Sequence, residues 1–475
     1  MNVGVIGAGA ISEIYLKNMT SRFSNLKVLG IAAKHLESAQ RRAEQFGIKA
    51  FTVDALLADP EIEMVVNLTP VGAHEELIRR ALLAGKHVYT EKTLTLDPEK
   101  AKALMALADE KGLYLGSAPD TFLGSALQAA RSALDDGLLG EVHSFAISVH
   151  RNNDLLLSRY PFLREPGAGV LLDFCVYYTT ALTSLFGPAA QVGGIIGTPY
   201  KTHINHQPGP DFGKVMDTPN ESQVSAILRM RNGVTGTFHI DSDSNTFGAP
   251  FFAIYGTKGI LQLPDPDEFG GEVLFLPNNS DAEARPVTLR QFTPYRGNSR
   301  GVGPAEMAQA IAEHRRNRAS KEMAFHSLEV LTAILSAGES GAFVQIQSDF
   351  IPPAPLPQKE PGIQAIRGSG EVRVPASDAV NMSAFYRRGL GLKPVDGHPE
   401  QLAAGSCVLK LCRAGQPGRQ ETPVRLCFTV SDIRSAREAV IGNGITPDTE
   451  ISADADGRRQ FRITDPDGNT VILSE

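Results

Sequence analysis

Cysteine, long apolar runs and an excess of basic charge are all scarce in this sequence of 475 residues. Four cysteines occur, and none of their spacings matches a zinc site or a CxxC pair, so we expect reduced thiols in a cytoplasmic protein. No apolar stretch reaches the roughly 18 residues of a membrane span, and no signal peptide is predicted. The formal charge of −7 argues against nucleic acid or an anionic membrane as a partner.

Residues 1–122 alternate between apolar strands and amphipathic helices. Strands are predicted at Val3–Ile6, Val28–Ala32, Met64–Leu68, His87–Tyr89 and Tyr114–Gly116. Asp97-Pro98 has the pattern of an N-cap followed by proline in the first helical turn, and Gly47 is placed to end a helix. The alternation is typical of a doubly wound parallel sheet, the Rossmann arrangement.

Residues 123–350 change to strand patterns in which apolar and polar residues alternate. Gln223–Met230 and Thr235–Ile240 are examples, joined by the turn sequence Arg231-Asn232-Gly233. We predict an α+β domain with a large, mostly antiparallel sheet. The exposed face of such a sheet commonly needs a partner, which favours a homo-oligomer.

A proline-rich linker is predicted at residues 351–364, where four prolines fall between Ile351 and Pro357. Residues 365–475 follow with a pattern of strand, helix and further strands that occurs twice. The two helices are predicted at Ala379–Arg388 and Ile433–Asn443. This region therefore has the pattern of a separate α+β domain of βαβββ type.

The turn after the first strand contains glycines suited to a dinucleotide. Gly7 permits a tight turn, and Gly9 lets a pyrophosphate approach the backbone. Ala10 and Ile11 open a helix whose N-terminus attracts anions. The third glycine of the usual fingerprint is replaced by Ser12.

The residues after the second strand bear on the choice of cofactor. Ala33 and Lys34 stand where an acid would bind a ribose hydroxyl of NAD. Lys34 could instead meet the 2′-phosphate of NADP, which gives a slight preference for NADP. A solvated lysine at the start of a helix is the alternative explanation.

Several motifs in residues 1–350 resemble those of Gfo/Idh/MocA oxidoreductases. They are Gly7-x-Gly9, Thr69-Pro70 with His74, and Gly85-Lys86-His87-Val88-Tyr89-Thr90-Glu91-Lys92. The resemblance implies an NAD(P)-dependent enzyme with Lys92 as its central catalytic residue. It also implies that four further residues lie at the cofactor: Thr69, Pro70, His74 and Glu91. The proline that follows the lysine in the family is Thr93 here, which leaves the geometry of that peptide open.

The segment Gly167–Tyr178 resembles the family's helix that carries an aspartate and a histidine. The resemblance maps the aspartate to Asp173 and places Tyr177 at the histidine position, as in a subgroup with paired tyrosines. Lys92 and Tyr177 are then the candidate acid–base pair, with Asp173 orienting substrate hydroxyls or tuning Lys92. Taken without the resemblance, Asp173 is an ordinary helix N-terminal carboxylate and Tyr177 a core aromatic. Three residues are weaker candidates for substrate contact: Asp120, His150 and Asn152.

Three functions fit these residues. The first is hydride transfer between nicotinamide and a secondary alcohol or ketone of a sugar, cyclitol or glycoside. The second is glycoside cleavage by transient oxidation with a retained NAD and no net redox change. The third is a non-catalytic nucleotide-binding protein, suggested by departures from the family pattern such as Thr93 and Cys175. The resemblance further implies dimers or tetramers and a small carbohydrate-like substrate.

The C-terminal region resembles the vicinal oxygen chelate fold of glyoxalases and bleomycin-resistance proteins, through Phe385-Tyr386, Leu390-Gly391-Leu392 and Asp465–Asn469. Enzymes of that family typically hold a divalent metal with His, Gln or Glu side chains. The equivalent positions here are Ser369, Lys410, Arg425 and Ile472. Because this set does not suit a metal, we expect no metal site and no glyoxalase chemistry. Oligomer contact, cover of the active site and small-molecule binding remain open as roles.

Overall fold

The computed structural model describes the chain except for residues 166, 245, 247, 249, 279–284, 358–362, 367–369, 397, 406, 414–423 and 455–456. The chain divides into two compact units. Unit 1 contains Met1–Gly271 and Gly297–Ala354, and unit 2 contains Glu272–Arg296 and Pro355–Glu475. The sequence places residues 272–296 within the 123–350 domain, whereas the structure groups them with the C-terminal region.

The N-terminal part of unit 1 is a parallel sheet with helices between its strands. The strands are β1 (Asn2–Ile6), β2 (Lys27–Ala32), β3 (Lys49–Phe51), β4 (Met64–Asn67), β5 (His87–Thr90) and β6 (Leu115–Ser117). The helices are α1 (Ala10–Ser21), α2 (Leu36–Phe46), α3 (Val53–Ala58), α4 (His74–Leu83) and α5 (Pro98–Glu110). The strand order is β3-β2-β1-β4-β5-β6. The predicted doubly wound sheet is confirmed, and its strands all present their carboxyl ends at one edge, where ligands bind in such folds.

Local sequence explains how these elements begin and end. The Asp97 side chain accepts a hydrogen bond from the backbone N–H of Glu99 at 2.8 Å, with Pro98 in the first turn of α5. Gly47 ends α2 in the left-handed conformation, with φ of 64°. Both features were predicted, because they depend on residues adjacent in the sequence.

The rest of unit 1 is a mixed sheet with helices on one face. Its first elements are α6 (Ser125–Asp135), β7 (Val142–His150), α7 (Asn153–Arg159), α8 (Val170–Asp173) and α9 (Cys175–Phe186). The strands that follow are β8 (Ala189–Gly197), β9 (Thr202–Ile204), β10 (Val215–Asp217), β11 (Gln223–Met230), β12 (Thr235–Asp241), β13 (Phe251–Gly256) and β14 (Gly259–Leu263). The chain then enters unit 2 with β15 (Leu274–Pro277) and β16 (Val287–Thr288). It returns to unit 1 as α10 (Val302–Ala312), α11 (Lys321–Ser340) and β17 (Val344–Gln345).

Within unit 1 the strand order of this sheet is β14-β13-β7-β12-β11-β8-β17. Only β7 and β12 pair in parallel, and the other neighbours are antiparallel. Along β7, Phe145, Ile147 and Val149 are buried, while the residues between them are more exposed. The sheet therefore has one face covered by helices and one open face, as its alternating sequence predicts.

Unit 2 contains the strand–helix pattern twice. Its C-terminal elements are β18 (Ile363–Ile366), β19 (Gly370–Ala376), α12 (Ala379–Ala384), β20 (Lys393–Val395), β21 (His398–Ala404), β22 (Cys407–Arg413), β23 (Arg425–Val430), α13 (Ile433–Gly442), β24 (Ser452–Ala453), β25 (Arg459–Thr464) and β26 (Thr470–Ser474). They form sheets with the orders β18-β23-β26-β25-β24 and β19-β22-β21-β20. Phe292, from the inserted segment, is buried in the same core as Phe385 and Phe428.

None of the helices in the described part of the chain combines the length and the apolar character needed to cross a bilayer.

Candidate active site

The turn between β1 and α1 has the shape and the free donors that a dinucleotide phosphate requires. Gly7 has φ of +114°, and a Cβ there would lie 2.7 Å from the backbone of Leu68, so a side chain has no room. A Cβ on Gly9 would meet nothing within 4 Å, so this side of the turn is open. No side chain caps α1, which begins at Ala10, and its first N–H groups are therefore available to an anion.

The other predicted cofactor residues lie at the same edge of the sheet. Ala33 and Lys34 directly follow β2, and the Lys34 side chain is exposed. Thr69 follows β4, and its hydroxyl donates to Asn67 Oδ1 at 2.8 Å. Pro70 is exposed next to it.

His74 has a different position from that of a cofactor ligand. Its side chain is fully buried, with Nδ1 2.8 Å from the carbonyl oxygen of Thr93 and Nε2 2.8 Å from that of Thr69. Burial lowers the pKa of His74, although the two carbonyls favour its protonated form. His74 thus ties the loop after β4 to the segment after Lys92.

Glu91 is held in place from three sides at the end of β5. Its Oε1 accepts a hydrogen bond from the Tyr15 hydroxyl at 2.8 Å, and its Oε2 accepts one from the Lys92 N–H at 3.1 Å. Its own N–H donates to the Asn67 carbonyl at 2.8 Å. The peptide bond between Lys92 and Thr93 is cis, which answers the question that the missing proline left open.

Lys92, Asp173 and Tyr177 come together at this edge. Lys92 Nζ donates to Asp173 Oδ1 at 2.6 Å and to the Asp173 carbonyl oxygen at 2.5 Å. The Lys92 and Asp173 side chains are 17% and 16% exposed, so the pair is largely removed from solvent. Nζ also lies 5.5 Å from the centre of the Tyr177 ring. A lysine in this environment can hydrogen-bond and polarise a substrate oxygen.

The hydroxyl of Tyr177 has a cationic neighbour that the sequence analysis did not assign. Arg300 Nη2 donates to the Tyr177 oxygen at 3.3 Å and to Asp267 Oδ1 at 2.6 Å. Burial raises the pKa of Tyr177 well above its usual value. The phenol therefore keeps its proton, and because its oxygen already accepts from Arg300, that proton is free for another acceptor.

The segment that carries Asp173 rests on Glu221. Glu221 Oε1 accepts a hydrogen bond from the Leu171 N–H at 3.0 Å, and the Glu221 carbonyl accepts one from Val170 at 3.3 Å. A Cβ on Gly169 would lie 2.1 Å from Glu221 Oε1, so only glycine permits this contact. Burial raises the pKa of Glu221. The contact fixes the start of α8, whose last residue is Asp173.

The three weaker substrate candidates have local structural contacts instead. Asp120 is 1% exposed, and its Oδ2 accepts hydrogen bonds from Gly301 and Gly303 at the start of α10. His150 lies on the open face of the sheet and contacts Ser244 at 2.9 Å. Asn152 caps α7, accepting from the Leu155 N–H at 3.1 Å.

Arg151, between two of these candidates, was missed. Its guanidinium stacks on Phe174, 3.9 Å from the ring centre, and it lines a cavity together with Asp173. The alternation along β7 indicates on which side of the sheet Arg151 lies. Residue 151 continues the series of Phe145, Ile147 and Val149, whose side chains lie on the buried face, opposite the open one.

Of the four positions in unit 2 that correspond to metal ligands in the glyoxalase family, the structure describes three. Lys410 lies on β22, Arg425 on β23 and Ile472 on β26, whereas Ser369 lies outside the described residues. Among the residues with described positions, no group of three or more His, Cys, Asp or Glu could hold a metal ion.

Comparison with known families agrees with this geometry. Residues 1–118 match the family model for an oxidoreductase family with an NAD-binding Rossmann fold, and residues 127–262 match the GFO/IDH/MocA C-terminal domain. The chain belongs to the Gfo/Idh/MocA oxidoreductase family. Residues 368–473 match the glyoxalase, bleomycin resistance protein and dioxygenase superfamily. Both predicted resemblances are confirmed.

Similar individual proteins extend over most of the oxidoreductase part. A dTDP-3,4-didehydro-2,6-dideoxy-α-D-glucose 3-reductase of Streptomyces violaceoruber is 28% identical over 312 residues, which are 62% of this chain and 87% of the relative. A 1,5-anhydro-D-fructose reductase of Ensifer adhaerens is 26% identical over 362 residues, which are 73% of this chain and 98% of the relative. The structure of levoglucosan dehydrogenase with NADH shares the fold, with a TM-score of 0.64 at 20% identity, covering 73% of this chain and 99% of that one.

Proposed function

We propose that this protein transfers a hydride between a nicotinamide nucleotide and a secondary alcohol or ketone carbon of a sugar, cyclitol or glycoside. The observation that carries the proposal is the Lys92–Asp173 pair beside Tyr177, at the edge where the strands of the nucleotide domain end. The names of similar proteins, two sugar reductases and levoglucosan dehydrogenase, support a carbohydrate substrate.

The residues present fit a nicotinamide dinucleotide. The open turn at Gly9 and the uncapped start of α1 would hold the pyrophosphate, with Thr69 and Pro70 beside it. When bound, the cofactor supplies or accepts the hydride at its nicotinamide ring. Lys34, exposed after β2, favours a cofactor with a 2′-phosphate, so we propose a preference for NADP.

Lys92, Asp173 and Tyr177 supply the proton transfer and the hydrogen bonds that accompany hydride transfer. The Lys92 ammonium donates a hydrogen bond to the reacting oxygen and, during reduction of a ketone, is placed to supply the proton that this oxygen gains. Asp173 holds Lys92 in position and stabilises its charge. Tyr177 remains protonated and donates its hydroxyl hydrogen to the same oxygen or to a neighbouring substrate hydroxyl.

The open face of the mixed sheet supports a second copy of the chain as partner. Ile195 is 74% exposed and Phe343 58% exposed on this face. They line a groove of about 410 Å³ together with Ile227 and His239. Exposed apolar side chains grouped in one groove often mark a protein–protein contact, so we propose a homo-oligomer, which light scattering of the purified protein tests.

The Lys92→Met variant tests the proposed function. We expect it to lose at least about 100-fold in kcat, because the proton donor is removed, while nucleotide affinity is kept. Turnover is measured on a panel of sugars and cyclitols, and the nucleotide is identified by mass spectrometry after denaturation and by titration with NADH and NADPH. Lys102→Met, at a lysine that is 56% exposed on α5, is the matched control.

Two outcomes count against the proposal. Unchanged turnover in Lys92→Met would remove Lys92 from the chemistry. If the purified wild-type protein holds no nucleotide, its failure to bind either NADH or NADPH would exclude the oxidoreductase function altogether. Stoichiometric NAD(H) in the purified protein would refute the NADP preference and point to a cofactor that is retained through the cycle.

A further inference from the structure

We propose that the substrate carries an anionic oxygen group, a carboxylate or a phosphate, and that Arg151 binds it. This inference rests on the proposed function, since it names the class of sugar that the same site accepts. An acidic or phosphorylated sugar, rather than a neutral one, would then be the preferred substrate.

The position of Arg151 is fixed on three counts. Its backbone N–H donates to the Asp241 carbonyl at 2.8 Å, which anchors it directly after β7. Its guanidinium carbon lies 3.9 Å from the centre of the Phe174 ring, a stacking distance. Phe174 adjoins Asp173 in the sequence, and Arg151 and Asp173 line one cavity. The charged end of Arg151 therefore lies beside the carboxylate that holds Lys92.

The nearby carboxylates already have partners. Asp173 accepts from Lys92, and Asp267 accepts from Arg300. Asp265 accepts from the Tyr178 hydroxyl at 3.3 Å and from the Asp267 N–H at 3.0 Å. Of the three cations at the site, Lys92 and Arg300 thus each hold a carboxylate at hydrogen-bond distance.

Arg151 has no such partner. In the part of the chain that the structure describes, no acceptor takes a hydrogen bond from its guanidinium, and none of its nitrogens is fully enclosed. Its N–H groups are therefore both unpaired and reachable. Burial lowers the pKa of Arg151, although the Asp173 and Asp267 carboxylates attract its charge, and no hydrogen bond compensates the desolvation of the guanidinium.

The chemistry of a guanidinium selects the ligand. Its N–H groups form charge-assisted hydrogen bonds with the oxygens of a carboxylate or phosphate, and these bonds are roughly twice as strong as those to a neutral sugar hydroxyl. The cavity that Arg151 shares with Asp173, Glu221, Asn153 and Asn220 measures about 20 Å³, the space of roughly one water molecule. It therefore fits one oxygen of such a group.

The test compares acidic sugars with neutral ones of the same ring. Dissociation constants of galacturonate, galactose, glucose 6-phosphate and glucose are measured by calorimetry on the full chain, saturated with whichever nucleotide it binds. Wild type, Arg151→Gln, Arg151→Lys and the control Arg159→Gln, at an exposed arginine on α7, are compared. Galacturonate and glucose 6-phosphate separate a carboxylate from a phosphate as the recognised group.

We expect wild type to bind at least one acidic sugar at least about 10-fold more tightly than its neutral counterpart. Arg151→Gln should weaken that binding by about 10- to 100-fold and leave the neutral sugar unchanged, with Arg151→Lys intermediate. Equal losses for acidic and neutral sugars in Arg151→Gln would overturn the inference, as would wild-type binding that favours neither acid. Because nucleotide binding and the Lys92→Met result are measured separately, failure here is distinguishable from failure of the proposed function.

Discussion

Burial of the Asp120 side chain disfavours the ionised form of its carboxyl group. It is 1% exposed, and burial raises its pKa from 3.8 to about 6, even though the N–H groups of Gly301 and Gly303 stabilise the ionised form. That change corresponds to ~3 kcal/mol. The folded state therefore binds a proton more tightly than the unfolded state does, and between about pH 4 and pH 6 this group makes the fold less stable as the pH rises.

Asp120→Asn should remove this pH dependence while keeping an oxygen for the two glycine N–H groups. We expect the stability of wild type relative to the variant to fall by ~3 kcal/mol from below pH 4 to above pH 6. Scanning calorimetry of both proteins across that range measures the difference. A difference that is constant with pH would mean that Asp120 titrates normally.

The role of a single residue at the candidate active site could be predicted only where that residue lies in a sequence motif. Lys92, Asp173 and Tyr177 lie in motifs of the family, and the structure brings their side chains together. Arg300 and Asp267 were not assigned because their partnership with Tyr177 exists only after residues far apart in the chain have packed together. The burial of Asp120 and His74 depends in the same way on the fold around them.

Among the elements, α8 is short and depends on a contact outside itself. Four residues cannot form a stable helix by their own hydrogen bonds, because nucleation is unfavourable. Glu221 supplies the acceptor for the Leu171 N–H, and Gly169 leaves the space that the Glu221 carboxylate occupies. The position of Asp173 is therefore set partly by a residue that follows it by 48 positions in the sequence.

Gly169→Ala should disturb this contact. The added Cβ would lie 2.1 Å from Glu221 Oε1, so the carboxylate must move and the end of α8 with it. We expect kcat to fall by about 10-fold or more, since a small misplacement of a catalytic group is costly, while nucleotide affinity stays the same. Steady-state kinetics and nucleotide titration give the two values.

Glu221→Gln is the matched control for that prediction. Its amide oxygen can still accept from Leu171, so it should retain more activity than Gly169→Ala. Activity that is equal to wild type in Gly169→Ala would show that α8 does not depend on Glu221.

Elements were predictable where their signals are local. The N-cap at Asp97, the glycine stop at Gly47 and the alternation along β11 each depend on a few adjacent residues, and each appears in the structure as predicted. The alternation along β7 also shows why His150 was a poor candidate, since its side chain lies on the open face of the sheet.

For the whole molecule, the inserted segment 272–296 is part of the C-terminal core. Phe292 is 6% exposed among the core residues of unit 2. The Asn381 side chain accepts from the Arg290 N–H at 2.9 Å and donates to the Thr288 carbonyl at 2.7 Å. Nothing in the local sequence marks this segment as different from its neighbours, so its membership of unit 2 could not be predicted.

Phe292→Ala should therefore destabilise unit 2. Loss of a buried phenylalanine costs about 3–5 kcal/mol, because a cavity remains where the ring was packed. Calorimetry or limited proteolysis of the full chain should show the C-terminal unit melting or being cut earlier. Phe212→Ala, at a phenylalanine that is 63% exposed, is the control. Equal stability of both variants would mean that the segment contributes little to that core.

The division of unit 2 along the chain has a consequence for synthesis on the ribosome. Every residue of unit 1 has been made once Ala354 is added, but residues 272–296 belong to a unit whose strand β26 ends at Ser474. At about 5–20 residues per second, the segment waits on the order of 10 s or more for its partners. During that interval Phe292 has no core in which to be buried. We therefore expect the nascent chain to depend on chaperones more than a protein whose two domains follow one another without an insertion.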